Sequence, residues 1–369
     1  MTYRVDFFLD EPVGSAKALA DFRNFTETNK QRFEVTESVL WFKTLGHNIT
    51  GDRIEYTFTK IREAIENPDQ IILLWAAEHN IVLDQPLVDN LNNFCDTVPN
   101  PVMFVTGVIG DWVNEWKGKT KFTLSSISYF DFEAASAWDT VMHHFPAARS
   151  KHFMCMGTKD YPNRKYLLSK IITSGLLDKG YVGYRQLAHG TLAPAHYSKQ
   201  AIKEINQVAA LADPYLPLPL LDDSVDYTLM PRHYMYDSYL NMVTDTFFEH
   251  WGKTTFISEK VFNAMLHGQM FIMMSPPGTL AYLRSIGYET FGDFIDESYD
   301  LIDDNHQRLV AVTESFVEFA SKPREELQRI YRQCMSTLQR NKSRVLAKPL
   351  PKILKVEFQR ARHEKAQTK

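Results

Sequence analysis

Residues 253–300 constrain the fold of this chain more than any other segment, because they predict a helix, a strand, a loop and a second helix in direct succession. Ser258 is a candidate N-cap, since its hydroxyl can accept a hydrogen bond from a free amide of the first helical turn. Apolar residues then recur with helical spacing over residues 261–266, and Gly268 stands where a helix C-cap is expected. This alternation of helix and strand predicts an α/β fold.

The start of the first of these helices carries Ser258, Glu259 and Lys260. A helix N-terminus has unpaired N–H groups and a partial positive charge, so it can bind an anion. Lys260 would add a mobile cation, and Glu259 could accept hydrogen bonds from ribose hydroxyls. These groups predict a nucleoside diphosphate site. The alternative is an exposed, capped helix that carries one solvated ion pair.

A second segment, residues 151–185, has the pattern of a βαβ unit. An apolar strand over residues 152–156 is followed by a polar loop over residues 157–163 and then by a helix. Such a loop lies at the carboxyl end of a parallel strand, where ligands bind in these sheets. We therefore expect Thr158 in the loop and Arg164 at the start of the helix to contact bound phosphate groups. The alternative for Arg164 is an ordinary charge in the first turn of an exposed helix.

Two common nucleotide-binding motifs do not occur in the chain, namely the Gly-x-Gly-x-x-Gly fingerprint and the P-loop lysine motif. Their absence argues against a nicotinamide-dependent dehydrogenase and against an NTPase. The three cysteines, Cys95, Cys155 and Cys334, are far apart and do not have the spacing of zinc ligands. We expect them to be reduced thiols of a cytoplasmic protein rather than disulfides.

Length and composition indicate a soluble protein of two domains. The 369 residues suit two domains of about 150–200 residues each. Hydrophobic residues make up 44% and charged residues 23%, and no stretch approaches the ~18 apolar residues of a membrane span. The first residues do not combine a basic leader with an apolar core, so we expect no secretory signal.

The N-terminal half predicts a further α/β layer. Continuous apolar runs at Ile71–Ala76 and Val102–Thr106 are typical of buried parallel strands, and residues 3–9 predict another strand. Helical periodicity occurs over residues 85–95 and 131–145. These elements could build a sheet with helices of their own.

Two Rossmann-like domains that face each other across a cleft are therefore the predicted architecture. The first domain spans residues 1–150 and the second spans residues 151–339, because Pro146 and the two alanines after it mark a break before the βαβ unit. Residues 340–369 form either a basic tail or a helix that crosses back to the first domain.

The run F-x-S-E-K-x-F-x-A-x-x-x-G, followed by an apolar strand and a Pro-rich loop, resembles the donor-binding element of fucosyltransferase-like glycosyltransferases with the GT-B fold. The matching positions are Phe256, Glu259, Lys260 and Gly268, and the likeness covers roughly residues 150–300. Members of that family usually carry tyrosine at the position of Phe256. They also often carry an upstream Phe-Glu-Asn-Ser run, where this chain has Val-Thr-Asp-Thr.

The resemblance implies a UDP- or GDP-linked sugar as donor and Arg164 as a ligand of its phosphates. An inverting transfer needs a carboxylate that takes the proton of the acceptor, and a GT-B enzyme would carry it on the N-terminal domain. Glu78 and Asp111 each follow an apolar strand there and are equal candidates, with His79 as a possible partner; an ordinary surface role is the alternative for each. Arg164, Lys260 and a helix N-terminus can neutralise the leaving diphosphate, so we expect no metal and no further cofactor.

The formal net charge of −4 hides an asymmetry along the chain. Residues 340–369 contain ten Lys/Arg and two acidic residues, a net +8, whereas the remaining residues carry −12. A basic segment attracts polyanions, of which nucleic acid is the usual one. The alternatives are a solvated C-terminus and the crossing helix.

Residues 257–300 are also similar to glycosyltransferase-like proteins of large, T-even-like bacteriophages. That similarity implies transfer of a sugar such as glucose or arabinose to hydroxymethylated pyrimidine, for example hydroxymethylcytosine, in double-stranded DNA within the host cytoplasm. One alternative is a fucosyltransferase-like enzyme that acts on a glycan or lipopolysaccharide. Another is an inactive nucleotide-binding or DNA-binding module.

Overall fold

The computed structural model describes residues 39–367 apart from a number of gaps. These gaps are residues 44–53, 66, 77–82, 111, 117, 128–129, 131–133, 136–140, 143, 158–159, 185–189, 219–231, 246, 250–253 and 348–349. The predicted strand over residues 3–9 lies outside the described residues, as does most of the predicted helix over residues 131–145. The described end of that helix, residues 141–142 and 144–145, is not helical.

The chain divides into two compact units, Met1–Tyr129 with Pro349–Lys369 and Phe130–Lys348. This division, at 129–130, differs from the sequence-based boundary at 150–151. Arg149 gives the physical reason, because its guanidinium donates hydrogen bonds of 2.8 Å to the carbonyl oxygens of Ser238 and Gly268. Residues just before the βαβ unit are therefore held by the second unit itself.

Parallel strands form the centre of the first unit. Up to residue 126 its elements are β1 (Val39–Lys43), α1 (Ile54–Ala64), β2 (Ile71–Ala76), α2 (Gln85–Thr97), β3 (Val102–Thr106), β4 (Ile109–Gly110), α3 (Trp112–Glu115) and β5 (Thr123–Ser126). The sheet has the order β1–β2–β3–β5, with every neighbouring pair parallel. Ile72, Leu74 and Phe104 on its two central strands are fully buried. The buried parallel strands predicted at these two apolar runs are therefore confirmed.

Parallel strands also form the centre of the second unit. Its elements are β6 (Lys151–Gly157), α4 (Pro162–Thr173), β7 (Gly180–Tyr184), α5 (Lys199–Ala209), α6 (Arg232–Asp237), β8 (Ser238–Thr244), β9 (Thr254–Thr255), α7 (Glu259–Leu266), β10 (Met270–Met274), α8 (Thr279–Ser285), α9 (Asn305–Ser321), α10 (Arg324–Gln333) and α11 (Met335–Leu346). The sheet has the order β10–β8–β6–β7 and is parallel throughout. The βαβ unit predicted in residues 151–185 and the helix–strand–helix predicted in residues 253–300 are both confirmed.

The direction in which strands are added to this second sheet reverses beside β6. The chain passes from β6 to β7 on one side, and β8 then takes its place on the other side. In an open parallel sheet such a reversal leaves a crevice outside the carboxyl ends of the two strands, and ligands bind there. Thr244 Oγ1 donates a hydrogen bond of 3.1 Å to the carbonyl of Met156 and joins β8 to β6 at these ends.

The buried side chain of Arg149 fixes the opposite, amino-terminal ends of the strands. It donates hydrogen bonds to the carbonyls of Met235, Ser238, His267 and Gly268 and to the hydroxyl of Tyr331. Burial lowers the pKa of this guanidinium, and the five oxygen acceptors compensate for its lost hydration. The starts of β6, β8 and β10 are thereby tied to one side chain.

The last helix, α12 (Leu350–Gln367), belongs to the first unit and packs on β5. Its Phe358 and Ala361 are buried, and Arg360 Nη2 donates a hydrogen bond of 2.9 Å to the carbonyl of Leu124. Residues 350–367 are therefore part of a folded layer. Neither α12 nor any other described helix is long and apolar enough to cross a membrane.

Candidate functional site

The candidate site lies outside the carboxyl ends of β6 and β8, where three segments of the second unit meet. Helix α4 follows β6, Asp245 directly follows β8, and Ser258 leads into α7. Arg164 Nη2 donates a hydrogen bond of 2.7 Å to the carbonyl of Asp245, and the Ser258 N–H donates one of 3.4 Å to the Asp245 carboxylate. Two of the predicted residues, Arg164 and Ser258, are thus brought together through a third residue.

Arg164 is a buried cation at this point of the fold. Its side chain is 9% exposed, and burial lowers the pKa of its guanidinium. The ring of Tyr161 lies 5.5 Å from the guanidinium carbon. Of its five N–H groups, only the one directed at Asp245 has an acceptor among the described residues. None of the remaining donor atoms of Arg164 is fully shielded from solvent, so an anionic ligand can reach them and form charged hydrogen bonds.

Ser258 stands at the N-cap position of α7, as predicted, but its hydroxyl makes no capping bond. The side chain is buried, and its oxygen lies 3.3 Å from Lys260 Nζ, which donates to it. The predicted capping bond is therefore wrong, and the hydroxyl instead accepts a hydrogen bond from the lysine. The first turn of α7 is left without a Ser258 cap.

Glu259 and Lys260 form an ion pair, with Lys260 Nζ 3.4 Å from Glu259 Oε1. The side chains are 25% and 40% exposed, respectively. An ion pair at this level of exposure contributes little to stability, on the order of 0–1 kcal/mol. Replacing this ion pair by contacts with a ligand would therefore cost little stability.

Phe256 is placed in the core of the second unit. It is 5% exposed, and its ring meets those of Phe130 and Phe247 edge-to-face, with centroids 5.3 Å and 5.1 Å away. The ring therefore supports the segment that leads into α7 by packing. A contact of Phe256 with a ligand stays a prediction from the sequence.

Three of the predicted site residues, Thr158, Glu78 and Asp111, lie outside the described residues, and so does His79. The two candidate bases and the loop threonine therefore stay predictions from sequence. The described site consists of the residues that the second unit supplies.

Asp245 is the residue that links the site, and sequence reasoning did not select it. It is 2% exposed, and its own N–H donates a hydrogen bond of 3.1 Å to the carbonyl of Met274 at the end of β10. Its backbone and carboxylate thus connect β10, α4 and the start of α7. The available signal was an acidic residue directly after a buried apolar strand, a position that faces ligands in parallel sheets.

Arg308, on α9, is a second buried cation that sequence reasoning missed. Its side chain donates to the carbonyls of Phe248, Ser275, Ile302 and Asp303 and to the side-chain oxygen of Asn305. Burial lowers the pKa of this guanidinium to about 10. Because Phe248 follows β8 and Ser275 follows β10, Arg308 holds the loops at the same edge of the sheet. No local pattern in the sequence marks it.

Within the described part of the chain, no group of three or more His, Cys, Asp or Glu residues is arranged to hold a metal ion. Asp304 accepts a hydrogen bond of 2.8 Å from the Gln307 N–H and caps α9. The acidic pair Asp222 and Asp223 lies outside the described residues. Asp304 therefore has a structural role.

Comparison of the chain with protein-family models and with curated proteins finds no match. The chemistry of the site is therefore argued from its geometry. Arg164 offers a planar set of donors, Lys260 offers a mobile ammonium, and the start of α7 adds the partial positive charge of a helix N-terminus. This combination suits an anion with several oxygen atoms, such as a diphosphate.

Proposed function

We propose that the second unit binds a nucleotide sugar outside the carboxyl ends of β6 and β8, and that the protein is a glycosyltransferase with the GT-B fold. The observation that carries this proposal is the position of Arg164, a buried guanidinium with unused donors at the strand reversal, beside the start of α7. A diphosphate would use those donors and the helix start together.

Each described residue has a distinct role in this proposal. Arg164 binds two oxygen atoms of the diphosphate, because a guanidinium presents its donors in a planar fork. Lys260 leaves its ion pair with Glu259 and contacts a phosphate oxygen. Glu259 then accepts hydrogen bonds from the ribose hydroxyls. Phe256 and Asp245 keep the two chain segments in place.

The proposed reaction is an inverting transfer. The acceptor hydroxyl attacks the anomeric carbon of the sugar while the bond to the diphosphate breaks, and the nucleoside diphosphate leaves with the electron pair. Glu78 or Asp111, as proposed from the sequence, takes the proton of the hydroxyl. The two cations and the helix N-terminus stabilise the charge that develops on the leaving group, so a metal ion is not needed.

The proposed acceptor is the hydroxyl of a hydroxymethylated pyrimidine in double-stranded DNA, with glucose or arabinose as the transferred sugar. Support comes from the net charge of +8 over residues 340–369 and from the resemblance to phage proteins. Within that segment, contacts with other residues of the protein are made by Arg340, Lys342, Arg344, Arg360 and Lys365. These contacts reduce what those five side chains can contribute to DNA binding.

The test is a transfer assay with the full-length protein and a panel of UDP- and GDP-linked sugars. The acceptors are duplex DNA with hydroxymethylcytosine, the same duplex with cytosine, and an oligosaccharide, each followed by mass analysis of the digested product. We expect a sugar adduct on hydroxymethylcytosine alone. An adduct on the oligosaccharide alone would identify a glycan transferase. Donor binding with no adduct on any acceptor would identify an inactive nucleotide-binding module.

A further inference from the structure

Two residues that follow β8 at the strand reversal, Asp245 and Phe248, each have a backbone carbonyl that accepts a hydrogen bond from a buried arginine. Arg164 Nη2 donates a hydrogen bond of 2.7 Å to the carbonyl of Asp245, and Arg308 Nη2 donates one of 2.6 Å to the carbonyl of Phe248. Glu249 directly follows the second of these anchored carbonyls, so its side chain starts next to a residue that Arg308 binds.

Only one of the two carboxylate oxygens of Glu249 accepts a hydrogen bond from a described residue. Its Oε1 accepts a hydrogen bond of 3.2 Å from the hydroxyl of Tyr197, a residue that is itself 6% exposed. Burial, and then the negative charge of Glu249, raise the pKa of that phenol, so Tyr197 stays a donor. The second oxygen, Oε2, has no hydrogen-bond partner among the described residues, and the side chain is partly exposed.

Glu249 also lies within electrostatic range of both buried guanidiniums. Its negative charge raises the pKa of Arg164 and of Arg308, against the larger, lowering effect of burial. A carboxylate in this position repels phosphate oxygens, so its unused oxygen is unsuited to the diphosphate itself. A carboxylate oxygen can only accept hydrogen bonds. Next to a bound diphosphate, a suitable donor is a hydroxyl group of the same ligand.

We infer that Glu249 is a specificity-determining residue of the donor site, and that its Oε2 accepts a hydrogen bond from a sugar hydroxyl of the nucleotide sugar. This inference rests on the proposed function, and it adds a residue that the likeness to fucosyltransferase-like enzymes does not include. The hydroxyl belongs either to the transferred sugar or to the ribose, since both carry hydroxyl groups that can donate a hydrogen bond. Tyr197 holds the carboxylate in the orientation that the contact needs.

The experiment is calorimetric titration of the full-length protein with UDP, GDP, UDP-glucose, GDP-fucose and the 2′-deoxy forms of the two diphosphates. Glu249→Gln keeps the size of the side chain and the acceptor for Tyr197 but removes the charge. Tyr197→Phe removes the hydroxyl that orients the carboxylate. Glu318→Gln, at an exposed carboxylate on α9, is the matched control.

A contact with the transferred sugar predicts that Glu249→Gln weakens binding of the preferred nucleotide sugar roughly tenfold and leaves the diphosphate unchanged. A contact with the ribose predicts that Glu249→Gln weakens binding of the nucleotide sugar and of the diphosphate roughly tenfold. The 2′-deoxy diphosphate should then bind the variant and the wild type with equal affinity. Tyr197→Phe should give a smaller loss for the same ligands, and Glu318→Gln none.

Equal affinity of wild type and a folded Glu249→Gln for every ligand would overturn the inference. If Glu249→Gln does not fold, unchanged affinities in Tyr197→Phe would overturn it instead. A wild-type protein that binds none of these nucleotides would contradict the proposed function itself, which is a different outcome.

Discussion

The guanidinium of Arg164 donates a hydrogen bond of 2.7 Å from Nη2 to the backbone carbonyl of Asp245. This bond joins the helix after β6 to the chain after β8, which are the two strands between which the sheet reverses its order. The acceptor is a main-chain oxygen, while the carboxylates of Asp245 and Glu249 act on the guanidinium from within electrostatic range. The bond therefore fixes the position of Arg164 and leaves its other donors for a ligand.

The first prediction concerns the two proposed diphosphate ligands. Arg164→Ala and Lys260→Ala should each weaken UDP or GDP binding about 10- to 100-fold, because a charged hydrogen bond contributes roughly 1.5–3 kcal/mol. The double variant should lose less than the sum of the two, since both side chains hold one ligand. Isothermal titration calorimetry measures these affinities. Lys199→Ala, on an exposed turn of α5, is the control. Folded variants with wild-type affinity would rule out the assignment.

The second prediction concerns metal dependence. Because cationic side chains and a helix N-terminus are proposed to stabilise the leaving diphosphate, turnover should persist in excess chelator. The measurement is the initial transfer rate with and without the chelator. Complete loss of activity that Mg²⁺ or Mn²⁺ restores would contradict this part of the proposal.

The third prediction concerns the stability that Arg149 contributes to the second unit. Arg149→Met removes a hydrogen bond from each of four buried carbonyl groups, of which that of Gly268 keeps a bond from Tyr331. The free energy of unfolding should therefore fall by roughly 3–5 kcal/mol. Urea denaturation measures this change. The exposed Arg329, which donates to Gln333 on the same helix, is a matched control, and Arg329→Met should change stability by about 0.5 kcal/mol or less. A similar small change for Arg149→Met would show that the strand ends do not depend on it.

The fourth prediction concerns α12. Phe358 is 2% exposed and Val356, on the same helix, is 61% exposed. Phe358→Ala should therefore destabilise the first unit by about 3–5 kcal/mol, whereas Val356→Ala should have little effect. Hydrogen exchange of the β3 and β5 amides measures the loss, and faster exchange is expected only in Phe358→Ala. Equal exchange in both variants would mean that α12 does not support the sheet.

The fifth prediction concerns the DNA acceptor. Duplex binding should weaken with salt, with a slope of about −0.9 for each phosphate that a basic residue neutralises. Two triple variants separate the basic residues of this segment: Lys348, Lys352 and Lys355 to Gln, and Arg340, Lys342 and Arg344 to Gln. The second should reduce the magnitude of the slope less, because Arg340 pairs with Glu289, Lys342 donates to the carbonyl of Met142 and Arg344 lies over the ring of Tyr288. Fluorescence anisotropy at about 50 to 200 mM salt measures the slope for both variants. The reverse order would contradict this division.

The sequence predicted those parts of the fold whose signals are local. The apolar runs at Ile71–Ala76 and Val102–Thr106 correspond to β2 and β3 residue for residue, because a strand buried on both faces is a nearly continuous apolar run. The position of Arg164 at the start of α4 followed from the same kind of pattern. These features depend on neighbouring residues alone.

The parts that sequence reasoning did not reach depend on contacts between distant residues. Arg308 donates a hydrogen bond to the carbonyl of Phe248, which is 60 residues away. Every residue has such a carbonyl, so the residue types do not reveal the contact. The hydroxyl of Ser258 makes no capping bond to α7 and instead accepts from Lys260 Nζ, a side-chain contact that capping preferences do not predict. Asp245 acts as a link only because the strand order brings β6, β8 and β10 together.

The most direct test of the central claim is hydrogen–deuterium exchange of the full-length protein with and without a saturating UDP- or GDP-linked sugar. Amides in the first turns of α4 and α7 should exchange more slowly with the ligand bound, because they would face the diphosphate at the carboxyl ends of β6 and β8. Amides at the starts of β6 and β8, at the other end of the sheet, should not change. Ligand binding without protection at α4 and α7, or protection only at the amino-terminal ends of the strands, would contradict the proposed donor site.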